Sequence, residues 1–97
     1  MVCVAVTVRI PGVLRGEAGG NASLELAVAE GATLAGVLDE IGTTWPLLER
    51  RLRDEHGQLR RYVNVYIDGE ECRRLDGLGT LIPDRSEVMV IPSVAGG

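Results

Sequence analysis

The chain has 97 residues, 45% of them hydrophobic and 25% charged, which is enough for one ordinary globular core and excludes both a disordered composition and a second large domain. Its net charge of -4 opposes phosphate backbones, so nucleic acid is not an expected partner; all ten cations are arginine and lysine is absent. No apolar run approaches the ~20 residues of a membrane-spanning helix and the N-terminus lacks the basic start of a signal peptide, so a cytoplasmic protein with no membrane partner is expected.

Residues 2 to 10 alternate, with Val2, Val4, Val6, Val8 and Ile10 on one side and Cys3, Ala5, Thr7 and Arg9 on the other. Period two with β-branched residues predicts a strand with one buried face, ended by Pro11-Gly12. A glycine-rich connection from Gly16 to Gly20 leads to a second alternation, Leu24, Leu26 and Val28, so the two strands read as a hairpin. Thr33 then offers an N-cap, and Leu34, Val37, Leu38 and Ile41 fall on one helical face. Gly42 is placed to end that helix. Pro46 to Arg53 predicts a short second helix, with Trp45 at the break plugging the edge of the core. Tyr62 to Ile67 alternates again before the turn signal Asp68-Gly69. A brief extended piece around Cys72 and an irregular stretch, Leu75 to Ile82, precede a last strand from about Glu87 to Ile91. The predicted fold is α+β: a β-grasp (ubiquitin-like) mixed sheet with one crossover helix and a short helix.

Titratable residues exclude more than they suggest. Cys3 and Cys72 form no C-x-x-C pair and the one histidine, His56, lies in a polar stretch, so no metal site is expected. A disulfide is disfavoured in a reducing cytosol. No serine–histidine–carboxylate grouping is evident, and a self-contained enzyme is not expected. Arg50, Arg51, Arg53, Arg60 and Arg61 gather in one stretch that Asp54 and Glu55 interrupt, which reads as a solvated helix face.

The chemistry-bearing feature is the end, Pro92-Ser93-Val94-Ala95-Gly96-Gly97. Residues 1–91 form the expected domain and 92–97 an extended, flexible tail. Small residues at a terminus ordinarily mean only fraying. Here, however, a strand feeding a Gly-Gly end, together with Ile91-Pro92-Ser93, the loop Gly79-Thr80-Leu81-Ile82-Pro83-Asp84 and the strand Val63-Asn64-Val65-Tyr66-Ile67, resembles the ubiquitin-like sulfur-carrier proteins of the ThiS/MoaD superfamily across essentially the whole chain. Within it the text looks closest to the carriers that serve cysteine biosynthesis in actinobacteria.

The resemblance implies a co-substrate rather than an enzyme. An E1-like enzyme adenylates the Gly97 carboxylate with ATP and exchanges AMP for sulfur. A sulfur-accepting biosynthetic enzyme, making cysteine or another sulfur-containing metabolite, then uses the thiocarboxylate. A zinc-dependent protease joins the implied partners where transfer leaves a carrier–product adduct. No cofactor is expected on this chain; ATP belongs to the activating enzyme.

The residue chemistry fits that role. Ser93 to Gly97 can extend ~18 Å, enough to thread a cleft, and Gly96 and Gly97 lack the Cβ that would block a narrow channel. Pro92 fixes one backbone angle at the tail's root. Ordering five residues opposes binding by roughly 5–10 kcal/mol, so the body must supply an offsetting contact surface. The sheet face away from the helix presents Ala5, Thr7, Tyr62, Asn64, Tyr66, Met89 and Ile91, and Tyr66, Met89 and Ile91 are the best candidates for docking. Three other readings stand beside this one: the small subunit of molybdopterin synthase, a ubiquitin-like modifier joined to lysines of target proteins, and a β-grasp binding module whose tail is incidental.

Overall fold

The computed structural model describes residues 3–92. Five strands, β1 (Cys3–Arg9), β2 (Ser23–Ala29), β3 (Val63–Ile67), β4 (Glu70–Glu71) and β5 (Ser86–Pro92), form one mixed sheet in the order β2-β1-β5-β3-β4. β1 and β5 run parallel at its centre, and the other neighbours are antiparallel. Two helices, α1 (Leu34–Thr44) and α2 (Pro46–Leu52), complete the β-grasp arrangement expected from the sequence. Among the described residues no helix is long and apolar enough to cross a membrane.

The alternation in the strands translates directly into burial. Val4, Val6, Val8 and Ile10 from β1 and its end, Leu24 and Val28 from β2, Val63, Val65 and Ile67 from β3, and Val88 and Val90 from β5 are buried on one face. Leu34, Val37, Leu38 and Ile41 of α1, with Leu48 and Leu52 of α2, close over that face with no side-chain exposure. Val2 lies outside the described residues.

Thr33 caps α1 as expected, its hydroxyl accepting the Gly36 N–H at 3.4 Å. The helix does not end at Gly42. It runs on to Thr44 and is stopped by Pro46, which cannot donate an N–H and drives Trp45 out of helical geometry, to φ -125° and ψ 68°. Gly42 serves close packing instead: a Cβ there would lie 3.2 Å from Glu49 Cγ on α2. The link between β1 and β2 is also more ordered than a glycine-rich loop, because residues Gly12–Ala18 form a 3₁₀ helix that buries Leu14 and Ala18. Gly19 ends it in the left-handed region (φ 65°), where Trp45 packs onto its backbone. Trp45 is half-buried against the core edge, as its position at the break suggests.

Asp68 (φ 50°) and Gly69 (φ 88°) make a two-residue turn of the kind that matches strand twist, joining β3 to the two-residue β4. The extended piece expected around Cys72 is confined to Glu70–Glu71, and Cys72–Arg74 turns into a 3₁₀ helix instead; the stretch that read as irregular, Leu75 to Ile82, holds a second 3₁₀ turn, Gly77–Gly79. Its continuation anchors to the helix start, where Leu34 N–H donates to Thr80 O at 2.9 Å and Ile82 N–H to Ala32 O at 3.0 Å. β5 is then aligned by its leading loop. Asp84 Oδ1 accepts the Ala5 N–H at 2.9 Å, and Arg85 N–H donates to Ala5 O at 2.7 Å.

The arginine-rich stretch is only partly a solvated face. Arg51 is largely exposed beside Glu17, whereas the Arg53 side chain is 10% exposed and sits 2.7 Å from both Asp39 of α1 and Glu49 of α2. Burial works against its charge, but the hydrogen bonds to Asp39 and Glu49 prevail and hold its pKa above the ordinary arginine value. Arg53 thus ties the two helices together. His56 is exposed in a loop held by Asp54 Oδ1, which accepts the His56 and Gln58 N–H groups at 2.9 and 3.1 Å.

Two neighbouring glycines give a stability test. A Cβ at Gly19 would meet the Trp45 ring at 2.7 Å, whereas one at Gly20 would meet open space although φ is also positive (85°). Gly19→Ala is expected to lose about 2–4 kcal/mol in urea unfolding from strain plus overlap, and Gly20→Ala about 1–2 kcal/mol from strain alone. Equal losses would contradict the packing of Trp45 on Gly19.

Candidate functional site: the end of the central strand and its outer face

β5 is the central strand that carries the chain toward its end. It is hydrogen-bonded to β1 on one side and β3 on the other. Pro92 is its last residue, opposite Val63. At the end of a strand its missing N–H leaves no gap within the ladder, and its fixed φ restricts the direction in which the chain departs. The expected tail residues Ser93, Val94, Ala95, Gly96 and Gly97 lie outside the described residues.

Strand register brings the predicted docking residues together. Tyr66 stands opposite Met89 and Asn64 opposite Ile91, so Tyr66, Met89 and Ile91 share the outer face within one or two pleats of Pro92. Met89 is 37% and Ile91 42% exposed, and Tyr66 is half-buried. Tyr62 is exposed just before β3, while Ala5 and Thr7 extend the face across β1. A shallow apolar groove of about 210 Å³ runs beside the strand end, lined by Arg9, Ile10, Pro11, Met89, Val90 and Ile91.

Charged groups border this apolar area. Arg9, next to Met89 in the parallel register, pairs with Glu87 at 2.9 Å, an exposed pair worth under ~1 kcal/mol. Arg73 sits on the other side. Its Nη1 donates to Val63 O at 2.9 Å and Asn64 Oδ1 at 3.2 Å, and its Nη2 donates to Arg60 O at 3.1 Å. Glu71 lies 3.5 Å from the same guanidinium. Arg73 therefore fixes the start of β3, the segment facing Pro92. Sequence reasoning passed over Arg9, Pro11 and Arg73. Only the parallel β1–β5 register could have flagged the first two, and the local pairing of Arg73 with Glu71 does not reveal its role, because the backbone and amide oxygens it holds lie 9 to 13 positions away.

The ionisable groups of the described residues that border this surface include the pairs Arg9–Glu87 and Arg73–Glu71. No group of three or more His, Cys, Asp or Glu side chains among the described residues could hold a metal ion. Cys3 is exposed at the start of β1 and Cys72 is buried under β3. Burial, then the Glu71 charge, push the Cys72 thiol above its usual pKa, so it packs as a small neutral side chain. The region presents an apolar surface, fixed by strand register, beside the end of β5.

The ThiS family model matches residues 8–97. The sulfur carrier protein CysO of Mycobacterium tuberculosis is 39% identical over 94 residues, 95% of this chain and 98% of the relative. Small archaeal modifier protein 3 of Haloferax volcanii is 36% identical over 78 residues, 80% of this chain and 84% of the relative. Among solved structures, CysO in the Amycolatopsis orientalis BexX/CysO complex superposes with a TM-score of 0.84 at 38% identity, covering 96% of this chain and all of that one.

The two cysteines yield a test of the packing under β3. A thiol reagent is expected to label Cys3 in the folded protein and Cys72 only on unfolding, read by mass spectrometry. Because the folded thiol has the higher pKa, Cys72 contributes stability below the ordinary thiol range and loses it as pH rises, when the unfolded chain ionises first. Stability should therefore fall more steeply on the alkaline side in the native sequence than in Cys72→Ala. Native-state labelling of Cys72 at a rate like that of Cys3 would contradict the burial.

Proposed function

The chain belongs to the ThiS family, and from that premise we propose that it is a sulfur carrier whose working group is the carboxylate of Gly97. One observation carries the reading: likeness to a sulfur carrier protein spans 95% of this chain and 98% of that protein, and the family match runs through Gly96-Gly97.

The chemistry is that of an activated acyl group. A carboxylate resists nucleophiles until it gains a leaving group. An E1-like enzyme supplies one by joining the Gly97 carboxylate to AMP from ATP with release of pyrophosphate. A sulfur nucleophile attacks the acyl carbon, a C–S bond forms, the C–O bond to AMP breaks, and Gly97 ends as a thiocarboxylate. A sulfur-accepting biosynthetic enzyme then draws on that sulfur, and a zinc-dependent protease releases the carrier where an adduct forms. Cysteine biosynthesis is the favoured destination, on the likeness to CysO. The complex of a similar carrier with BexX supports a carrier that docks on a partner protein.

In this scheme the body recognises and the tail reacts. Tyr66, Met89 and Ile91 form the docking surface, with Arg9 and Arg73 at its borders. Pro92 aims the tail, and Ser93, Val94, Ala95 and Gly96 line the threaded segment. Small side chains suit a narrow channel, and glycine accepts the backbone angles that a nucleotide site imposes near the reacting carbon. The chain acts as co-substrate; acid–base and nucleotide-binding groups belong to its partners.

A second reading, a modifier joined to lysines, has one observation in its favour: 36% identity to a small archaeal modifier. The absence of lysine leaves this chain no side-chain amine of its own for chain building. Isopeptide-linked ladders on a denaturing gel would favour that reading.

Incubation with a cognate activating enzyme, ATP and sulfide is expected to replace one oxygen by sulfur at Gly97, read by intact mass and fragmentation. Unchanged mass beside an enzyme active on another carrier would sink the proposal. Deleting Gly97 should abolish the reaction and leave the unfolding midpoint unaltered. Met89→Asp is expected to lower kcat/KM for activation by about ten-fold or more with the fold intact, as expected of a buried interface contact worth over 1 kcal/mol. An unaffected kcat/KM would move docking to another face.

A further inference from the structure

The β2 edge of the sheet is open among the described residues, since β2 pairs with β1 and with no strand beyond it. Two sets of hydrogen bonds reveal which backbone groups face outward. Ile10 N–H donates to Ala22 O at 2.8 Å, so Val8–Leu24, Val6–Leu26 and Val4–Val28, each two residues further along, are the hydrogen-bonded pairs of the β1–β2 ladder. The intervening residues of β1 face β5, as Ala5 demonstrates by donating to Asp84 and accepting from Arg85. Ser23, Glu25, Ala27 and Ala29 therefore turn their N–H and C=O groups to the open edge. The Ala29 carbonyl is already engaged by the Ala32 N–H at 3.0 Å.

This edge lacks the usual protection. Its seven residues, SLELAVA, contain no lysine or proline. Their one charge, Glu25, is drawn back over the sheet by the Thr7 hydroxyl, which donates to its carboxylate at 2.9 Å. On the core face Leu24 and Val28 are buried, while Leu26 between them is only half-buried.

We propose that two copies of this chain associate antiparallel through β2, with the two-fold axis at Leu26. That register places Leu26 against Leu26, Glu25 against Ala27, Leu24 against Val28 and Ser23 against Ala29. Every outward-facing residue meets another outward-facing residue, as an antiparallel ladder requires. The charge lies opposite alanine rather than its own kind. The Leu26 pair is of the non-hydrogen-bonded type, which brings side chains closest and covers the half-open leucines. Centring on Glu25 would set like charges face to face, and centring on Ala27 would leave Ser23 and Leu24 unpaired. The two sheets become one, with the helices on one side, and β5 stands two strands in from the seam, so Tyr66, Met89 and Ile91 stay open in both copies.

Sedimentation of the full chain at increasing concentration, up to about 1 mM, tests this. The weight-average mass is expected to rise from that of one chain toward twice that value, and the Glu25, Ala27 and Ala29 amides to exchange more slowly as it does. Ala27→Pro removes an outward N–H without touching the β1 ladder, and should hold the mass at one chain with unchanged circular dichroism. Ala27→Arg faces Glu25 of the second copy and should tighten association roughly two- to five-fold. A single-chain mass throughout, or a dimer indifferent to both substitutions, would overturn the proposal.

Discussion

The parallel pairing of β1 with β5 is the constraint on which the molecule depends. It joins segments about 79 positions apart, anchored where Asp84 and Arg85 bind the backbone of Ala5. Closing so long a loop is opposed by chain entropy, and the closure succeeds because it buries Val6, Val8, Val88 and Val90 against α1 and α2. Its consequence is positional. The chain's last described strand lies at the centre of the sheet, with a neighbour on each side. A strand so held is the firmest base available for whatever follows Pro92.

In the proposed scheme that placement separates two tasks which one surface would perform poorly together. Recognition needs side chains whose positions are fixed before the partner arrives, and the register of β3, β5 and β1 fixes Tyr66, Met89, Ile91 and Arg9. Acyl activation needs a carboxylate that can reach into another protein, which calls for small residues and little competing structure. On that proposal, contact area on the body would have to offset the entropy of ordering the bound tail.

Much of this fold is legible in the sequence because burial on one face leaves a period of two. The alternations of β1, β2, β3 and β5 were readable for that reason, and register then set Tyr66 beside Met89. Gly42 was misleading because glycine marks both helix ends and close approaches, and only the packing of Glu49, whose Cγ would lie 3.2 Å from a Cβ placed there, tells them apart. Arg53 looks solvated inside a charged run, yet Asp39, 14 positions earlier, draws it between the helices. The 3₁₀ helix at Gly12–Ala18 leaves just two buried residues, Leu14 and Ala18, too few to write a period. The chemistry proposed for the tail rests on residue identity and family likeness rather than on packing, and Ser93 to Gly97 lie outside the described residues.

The central claim is that reactivity belongs to one group, the terminal carboxylate, while the folded body serves to deliver it. ATP–pyrophosphate exchange catalysed by a cognate activating enzyme tests this most directly when the native chain is compared with a semisynthetic chain ending in a Gly97 carboxamide. The native chain should support exchange and the carboxamide none, although it binds the enzyme equally well. Exchange undiminished by the carboxamide would place the acceptor elsewhere in the molecule and contradict the account.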